Sequence, residues 1–349
     1  MALIEPKKLI TIMFFILETL ISRAMSSTFP ESLLSERYEL WLAQYGRKHV
    51  NSEEQEKRFY IFKDNVEYID KFNNEGNRTF KLGANKFADL THEEFLVTYN
   101  RNKISTLPSS INVKSFDFNA ITEIPNTLDW RERGAVTSVK DQGWGCTASG
   151  WAFSTVAGIE GLLHNVTGNL VELSVQQLID CARTDYTFGC NGGLAARAYA
   201  YVRDNKGITL EEYYPYHGSQ GPCDTETATK FQIFRISGSY ATQGRSEEEL
   251  LKAVAGQPVS VDIDASSREF QLYESGVFTG PCGIQSTHVV NIVGYGVTAD
   301  GTKYWIMKNS WGTGWGEDGY MRILKDRGSP GGLCGLNQQV VWPYVNSLN

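Results

Sequence analysis

Between about Pro30 and Phe95 the chain is rich in charge and helical in period. In "SEEQEKRFYIFKDNVEYIDKFN" the apolar residues Phe59, Phe62, Val66, Ile69 and Phe72 fall at three- and four-residue steps. On a helix they form one stripe, so the spacing predicts a helix that buries one face. Ser52, followed three residues on by Gln55, predicts a capping box at its start. From Asn100 to about Glu123 the pattern lapses into a polar stretch, "NRNKISTLPSSINVKS", which reads as a linker open to nicking. Helical spacing then returns in "WAFSTVAGIEGLLHNVTG", ending near Gly168, in "ELSVQQLIDCA", with Ser174 near its start, and in "SEEELLKAVAGQ", starting at Ser246. Beyond Pro258 the period changes to two in "VSVDIDA", "HVVNIVGYG", "YWIMKNSWG" and "YMRILKD". These are strand-like runs broken by Gly and Pro. Helices first and strands second predict an α+β fold. No internal repeat is visible.

The N-terminus has a different pattern. Lys7 and Lys8 precede an apolar run, Leu9 to Leu17, and small residues follow around Ala24 to Ser27. That order predicts a signal peptide over residues 1–24. Glu18 interrupts the run and argues against a membrane-spanning helix, which needs about 20 apolar residues.

Composition adds three restrictions. The 349 residues are 41% hydrophobic, enough for a large core and, by length, for two or three domains. The net charge of -7 offers no clustered basic face for a nucleic acid. The six cysteines, 146, 181, 190, 223, 282 and 334, all follow the linker. With a signal peptide, an even number predicts three disulfides, with 15 possible pairings. No C-x-x-C occurs and His is scarce, so neither a zinc site nor any other metal or cofactor is expected. Sequons at Asn77 and Asn165 are candidate glycan sites if exposed.

Candidate chemistry is sparse. His164, His217 and His288 are the histidines after the linker. His288 opens a strand-like run and is a candidate general base. Asn309 lies in "KNSWGTGWGEDGY", where an amide would fix a His tautomer and Trp311 or Trp315 would shield that bond from water. A thiol site of this kind needs a thiolate, a His to hold its proton, and an orienting group. The thiol is best placed at a helix N-terminus, where the dipole lowers its pKa.

Several motifs together resemble a papain-family cysteine protease precursor of the plant papain/bromelain-like type. The pro-region pattern is present as Glu54, Arg58, Phe62, Asn65, Ile69 and Asn73. A second motif follows as Gly83, Asn85, Phe87 and Asp89. "IPNTLDWRERGAVTSVKDQG" resembles the mature start, with Ile124 as first residue, and "GCNGG" at 189–193, "HVVNIVGYG" and "KNSWGTGWGEDGYMRI" resemble the family's glycine, His and Asn segments. The resemblance implies a papain-like two-domain fold, a helical left domain and a β-barrel-like right domain, preceded by a helical pro-region. The expected boundaries are 30–95 for the pro-region, 96–123 for a linker with the maturation site, and 124–349 for the peptidase domain. The central helix is expected to begin near Gly150 or Trp151.

The resemblance also implies residue roles. Gln142 would help form the oxyanion hole, His288 would be the base, Asn309 its orienter, and Trp311 the cover over that pair. Gly192 and Gly193 would bond an extended substrate backbone. Leu194, Ala195, Asp262, Val289 and Gln339 would line the main specificity pocket. Implied disulfides are Cys146–Cys190, Cys181–Cys223 and Cys282–Cys334. Implied partners are a protein or peptide in the cleft, the chain's own pro-region, and proteinaceous inhibitors of cysteine proteases. The implied setting is a monomer in the secretory pathway, in a vacuole, a lysosome or outside the cell, without nucleic acid or membrane.

One segment departs from the family. Members usually read Q-G-x-C-G-S-C-W, whereas this chain reads "QGWGCTASGW" from Gln142 to Trp151, two residues longer. Gly150 stands where the nucleophilic cysteine belongs. Three readings stay open: a protease-like protein without protease chemistry, a displaced nucleophile at Cys146 or Ser149, and an active protease whose sequence is misread at residues 141–154. Two lesser changes are Val289, bulkier than the family's Ala or Gly, and Asp262, a carboxylate on a usually apolar wall. Asp262 either points to solvent or draws a basic side chain into the pocket.

Overall fold

A computed structural model describes residues 30–99, 113–118, 121, 123–242, 246–329 and 331–346. The expected signal peptide and most of the expected linker lie outside these residues.

The pro-region begins with α1 (Glu31–Tyr45) and α2 (Ser52–Asn74). The stripe forms as expected: Phe62, Val66, Ile69 and Phe72 are buried, and Leu34, Tyr38 and Trp41 of α1 pack in the same cluster as Phe62 and Val66. The cap is shifted by one residue, because Asn51, not Ser52, is the N-cap and its side chain accepts from Glu54 N at 2.9 Å. A reciprocal capping box occurs later, where Thr91 Oγ1 accepts from Glu94 N and Glu94 Oε2 accepts from Thr91 N, each at 3.0 Å. That box opens α3 (His92–Tyr99), which follows β1 (Phe80–Leu82).

The polar pro-region residues hold its loop. Asn73 brackets Leu82 with two bonds, Nδ2 to its carbonyl at 2.8 Å and Oδ1 from its N–H at 3.0 Å. Asn65 Nδ2 donates to the carbonyls of Ala88 and Leu90, both at 2.8 Å. Arg58 ties Glu54 at 2.6 Å to Glu94 at 2.7 Å. Arg58 also donates to the Asp89 carbonyl at 3.0 Å, so amides and a guanidinium satisfy backbone carbonyls of this loop.

After β2 (Lys114–Ser115) and β3 (Leu128–Asp129) comes the central helix α4 (Gly150–Thr167), then α5 (Val175–Cys181) and α6 (Ala195–Asp204). Gly168 closes α4 in the left-handed conformation, and Ser174 caps α5 by accepting from Gln177 N. These helices share one apolar cluster. β4 (Ile208–Thr209), α7 (Thr225–Lys230), β5 (Gln232–Phe234), β6 (Gly238–Ala241) and α8 (Glu247–Gly256) lead into the sheet, β6 itself joining it. The rest is β7 (Val259–Ile263), α9 (Arg268–Gln271), β8 (Tyr273–Phe278), β9 (His288–Val297), β10 (Lys303–Lys308), β11 (Tyr320–Leu324) and β12 (Val340–Tyr344).

Among the described residues the large sheet runs β1-β8-β11-β10-β9-β7-β12-β6-β2, with β3 on β9. Its first strand belongs to the pro-region, because β1 pairs antiparallel with β8. The pro-region's Phe72, Phe80, Phe87, Phe95 and Tyr99 enter the same core as Trp305, Trp311 and Trp315 of the sheet half. The pro-region is therefore part of this core rather than an appendage.

Candidate active site

The two halves meet where the N-terminus of α4 faces the start of β9. Strand β9 is central and buried, flanked by β7 and β10, and it fixes His288 at its first position. His288 is 2% exposed. Its Nε2 donates to Asn309 Oδ1 at 2.8 Å. That bond fixes the tautomer and leaves the Nδ1 lone pair free to face Gly150 in the neutral ring. Asn309 Oδ1 also accepts from Ser310 N at 2.8 Å. Trp311 stacks on the imidazole, with centroids 4.8 Å apart and planes 21° apart. Burial pushes the His288 imidazole down from 6.5 to about 4, against the smaller upward pull of the Asn309 bond. The ring is thus neutral near pH 7.

Gly150 is the first residue of α4. A Cβ built on it would lie 2.5 Å from His288 Cε1, 2.7 Å from Nδ1 and 2.9 Å from the Val289 carbonyl. The imidazole therefore fills the space a side chain at 150 would need. Both candidate substitutes are engaged elsewhere. Cys146 is fully buried and bonded to Cys190. Ser149 is fully buried and its Oγ donates to the Cys146 carbonyl at 2.6 Å. The other disulfides are Cys181–Cys223 and Cys282–Cys334, so all six cysteines are paired.

The lengthened loop also alters the amide at Gln142. Its Nε2 donates to the Thr147 carbonyl, and its Oε1 accepts from Ser310 Oγ at 2.8 Å. The donor that the resemblance assigns to an oxyanion hole is here bonded within its own loop. On the outer side of that loop, Trp144 stays 44% exposed and carries Arg47 over its ring at 4.3 Å. Tyr99 and Phe87 pack edge-on against Trp144 at 5.5 and 6.4 Å, and Lys86 Nζ meets Asp141 Oδ2 at 2.5 Å. All four partners are pro-region residues. Sequence reasoning gave Trp144 no role, although a tryptophan in the lengthened segment was a usable signal.

The expected backbone strip is held against Trp151, and the expected pocket residues are buried. The Gly192 carbonyl accepts from Phe188 N at 2.8 Å. A Cβ on Gly193 would lie 2.7 Å from the Trp151 ring, so only glycine allows that approach. Leu194, Ala195 and Val289 belong to one buried cluster. Asp262 does not point to solvent, because it is 3% exposed. Its Oδ2 accepts from Ser286 Oγ at 2.7 Å and from Gln339 Nε2 at 3.1 Å. Ser286 was not visible as a partner in the sequence. Burial pushes the Asp262 carboxyl up from 3.8 to about 7, against those two bonds. Below that pH it is neutral and has no charge with which to draw a basic side chain.

This shift fixes a pH dependence. Between pH 4 and 7 the folded state holds a proton on Asp262 that the unfolded state releases. Asp262 stabilisation is therefore full below about pH 4 and is lost as pH rises through about 7. His288 has the opposite sign, costing stability as pH falls from 6.5 to about 4. Asp262→Asn keeps an acceptor for Ser286 and Gln339 and removes only the first effect. Its stability relative to the parent should rise by up to about 4 kcal/mol between pH 4 and 7, read from urea midpoints across that range. A constant difference would contradict the assignment.

Asn77 and Asn165 are both exposed, and Asn165 donates through Nδ2 to the Gly256 carbonyl at 3.0 Å. No cluster of His, Cys, Asp and Glu among the described residues is arranged to hold a metal, and no helix there is long and apolar enough to cross a membrane.

Known proteins share both halves of this arrangement. Residues 124–344 match the papain family cysteine protease family, and residues 38–95 match the cathepsin propeptide inhibitor domain. Cysteine endopeptidase Rep1 of Oryza sativa subsp. japonica is 44% identical over 325 residues, covering 91% of this chain and 86% of its own. Ananain of Ananas comosus is 41% identical over 327 residues, covering 93% and 92%. Among solved structures, a recombinant stem bromelain precursor superposes with a TM-score of 0.82 at 39% identity, covering 90% of this chain and 99% of that one. The proform of the ragweed pollen allergen Amb a 11, a cysteine protease, gives a TM-score of 0.83 at 39% identity, covering 92% and 88%. With the shared core of pro-region and sheet, these likenesses assign the chain to the papain family of cysteine proteases, as a precursor that carries its inhibitory propeptide domain.

Proposed function

We propose that this precursor is a non-catalytic member of its family, a pseudoprotease that holds a peptide segment or an inhibitor protein in its cleft and turns it over weakly or not at all. The observation that carries this reading is the contact between Gly150 and His288. The base and its orienter keep their bond, but a side chain at 150 would require the imidazole and the Val289 carbonyl to shift. The turned-in Gln142 amide supports it, since acyl transfer depends heavily on donors that stabilise the developing oxyanion. The pairing of Cys146 argues against a displaced nucleophile. The chain retains Gly192 and Gly193, the expected backbone strip, which suits binding by strand addition.

The same reading takes residues 1–24 as a signal peptide, 96–123 as the maturation linker and 124–349 as the cleft-bearing domain. It places the protein in the secretory pathway, as a monomer with glycans on Asn77 and Asn165. The test is hydrolysis of a fluorogenic peptide by the protein after removal of residues before Ile124, alongside binding of a cysteine-protease inhibitor protein. Binding without hydrolysis is the expected result, and efficient hydrolysis overturns it. Resequencing the transcript across residues 141–154 is a second check, and a cysteine codon before Trp151 would restore an ordinary protease.

Trp144, in the lengthened segment, also ties the pro-region down. Trp144→Ala removes the Arg47 stacking and two aromatic edges, together about 1–2 kcal/mol of pro-region docking. After a single cut in the linker, the variant's pro-region should dissociate roughly tenfold faster, followed by size exclusion. An unchanged rate would remove Trp144 from the interface.

A further inference from the structure

Behind the His288–Asn309 pair lies a cavity that the cleft chemistry does not use. It measures about 230 Å³ and is enclosed by α4, the start of β9 and the end of β10. Lys140, Asp141, Glu211 and Tyr216 form its more exposed end, and Phe153, Val156, Leu173 and Val290 supply apolar wall. Two amides line its interior, Asn291 and Asn309, exposed only 1% and 3%. Each uses one end of its side chain. Asn291 Nδ2 donates to the Ser154 carbonyl at 3.2 Å, and Asn309 Oδ1 holds His288. The other ends, Asn291 Oδ1 and Asn309 Nδ2, are buried without a protein partner. Glu211 Oε2, toward the more exposed end, is also without a partner. The two interior amides thus bring one free acceptor and one free donor to the lining, and buried polar atoms of this kind call for an occupant.

The charges around the cavity select against an ion. Lys308 Nζ donates to the Thr137 carbonyl at 2.9 Å and to Thr137 Oγ1 at 3.0 Å, and Thr137 Oγ1 donates on to Glu160 Oε2 at 2.7 Å. Glu160 also accepts from Leu173 N at 2.9 Å. These buried charges are balanced among themselves. With Lys140 and Lys308 beside Asp141, Glu160 and Glu211, a charged ligand of either sign meets like charge as well as opposite charge, and it loses its hydration against the apolar wall.

We propose that this cavity binds a small neutral molecule with an apolar body and one head group that both donates and accepts a hydrogen bond, a hydroxyl or a carboxamide. The head donates to Asn291 Oδ1 and accepts from Asn309 Nδ2, while the body lies along Phe153 and Val156. Apolar walls with a few convergent polar groups are the usual composition of a small-molecule site. A cavity of about 150 Å³ already holds benzene. A bond to Asn309 Nδ2 polarises the amide whose Oδ1 holds His288, so occupation registers at the imidazole.

The probes are benzyl alcohol and benzamide, with benzylamine and benzoate as charged counterparts, titrated into the full chain. The readout is the His288 ring resonances together with the melting temperature. The expected result is a saturable His288 shift with a Kd on the order of 1 mM for both neutral probes, as suits about eight heavy atoms. Binding of the charged pair should be at least about tenfold weaker, the discrimination expected when a desolvated site faces an uncompensated charge. Ala157→Phe, which puts a ring into the cavity, should abolish the shift, and Val175→Phe serves if the first variant does not fold. No saturable shift, which would mean that the cavity holds only water, overturns the proposal. So does equal binding of the charged probes, or undiminished binding in the filled variants.

Discussion

Gly150→Cys alone should leave the protein without measurable peptidase activity. Loss of the nucleophile in a triad-type enzyme costs roughly 10⁶-fold in turnover, so restoring the thiol would recover most of that if the site were otherwise intact. Here the new Cβ would start 2.5 Å from His288 Cε1 and 2.9 Å from the Val289 carbonyl. The imidazole would have to leave the position set by its 2.8 Å bond to Asn309 and its stacking on Trp311. Misplacement of a reacting group by about 1 Å already costs about 10²-fold, and the Gln142 amide remains bonded to Thr147. Shortening the loop by deleting Trp144 and Ala148 together with Gly150→Cys should recover turnover by at least about 10³-fold over Gly150→Cys, from the restored geometry and the freed oxyanion donor. The check is initial rates on one fluorogenic peptide for the parent, the single variant and the shortened variant. Full activity of the single variant would mean that the loop is an incidental change.

Trp311→Ala should be among the most damaging single substitutions. Trp311 is fully buried and joins three parts of the molecule. It stacks on His288, packs at 5.1 Å on Trp315 and 5.8 Å on Phe270, and receives Phe87, Phe95 and Tyr99 of the pro-region at 5.4, 5.5 and 5.9 Å. Removing a buried tryptophan ring costs about 3–5 kcal/mol through lost transfer energy and the cavity left behind. Because half of those contacts come from the pro-region, the loss should appear both as a lower denaturant midpoint and as faster release of a nicked pro-region. A variant that unfolds earlier but keeps its pro-region would show that docking runs instead through β1 and through Asn85 Nδ2, which donates to the carbonyls of Gln271 at 2.8 Å and Tyr273 at 3.3 Å.

The periodic parts of the fold were legible in the sequence. The α2 stripe, the Gly168 stop of α4, the Ser174 and Ser246 caps and the β7, β9, β10 and β11 runs each express a local rule, and local rules survive in the tertiary structure. The capping at α2 was misread by one residue because Asn51 and Ser52 are both good caps and only backbone geometry separates them. β1 was invisible, since three residues carry little pattern and its partner β8 lies nearly two hundred residues away. At the site, spacing and resemblance placed His288, Asn309 and Gly150 on facing elements. They did not tell where Asp262 points, because its burial depends on Ser286 and Gln339, which come from two other segments. Nor did they reveal that Gln142 turns into its own loop, because its partner is the Thr147 carbonyl, a backbone atom that carries no sequence signal.

The cleft should hold no reactive thiol. The decisive measurement is intact-mass analysis of the protein, freed of residues before Ile124, after incubation with a thiol-directed epoxide that labels active cysteine proteases. With all six cysteines in disulfides and glycine at position 150, the mass should be unchanged. A single adduct per molecule formed under native conditions would contradict the claim.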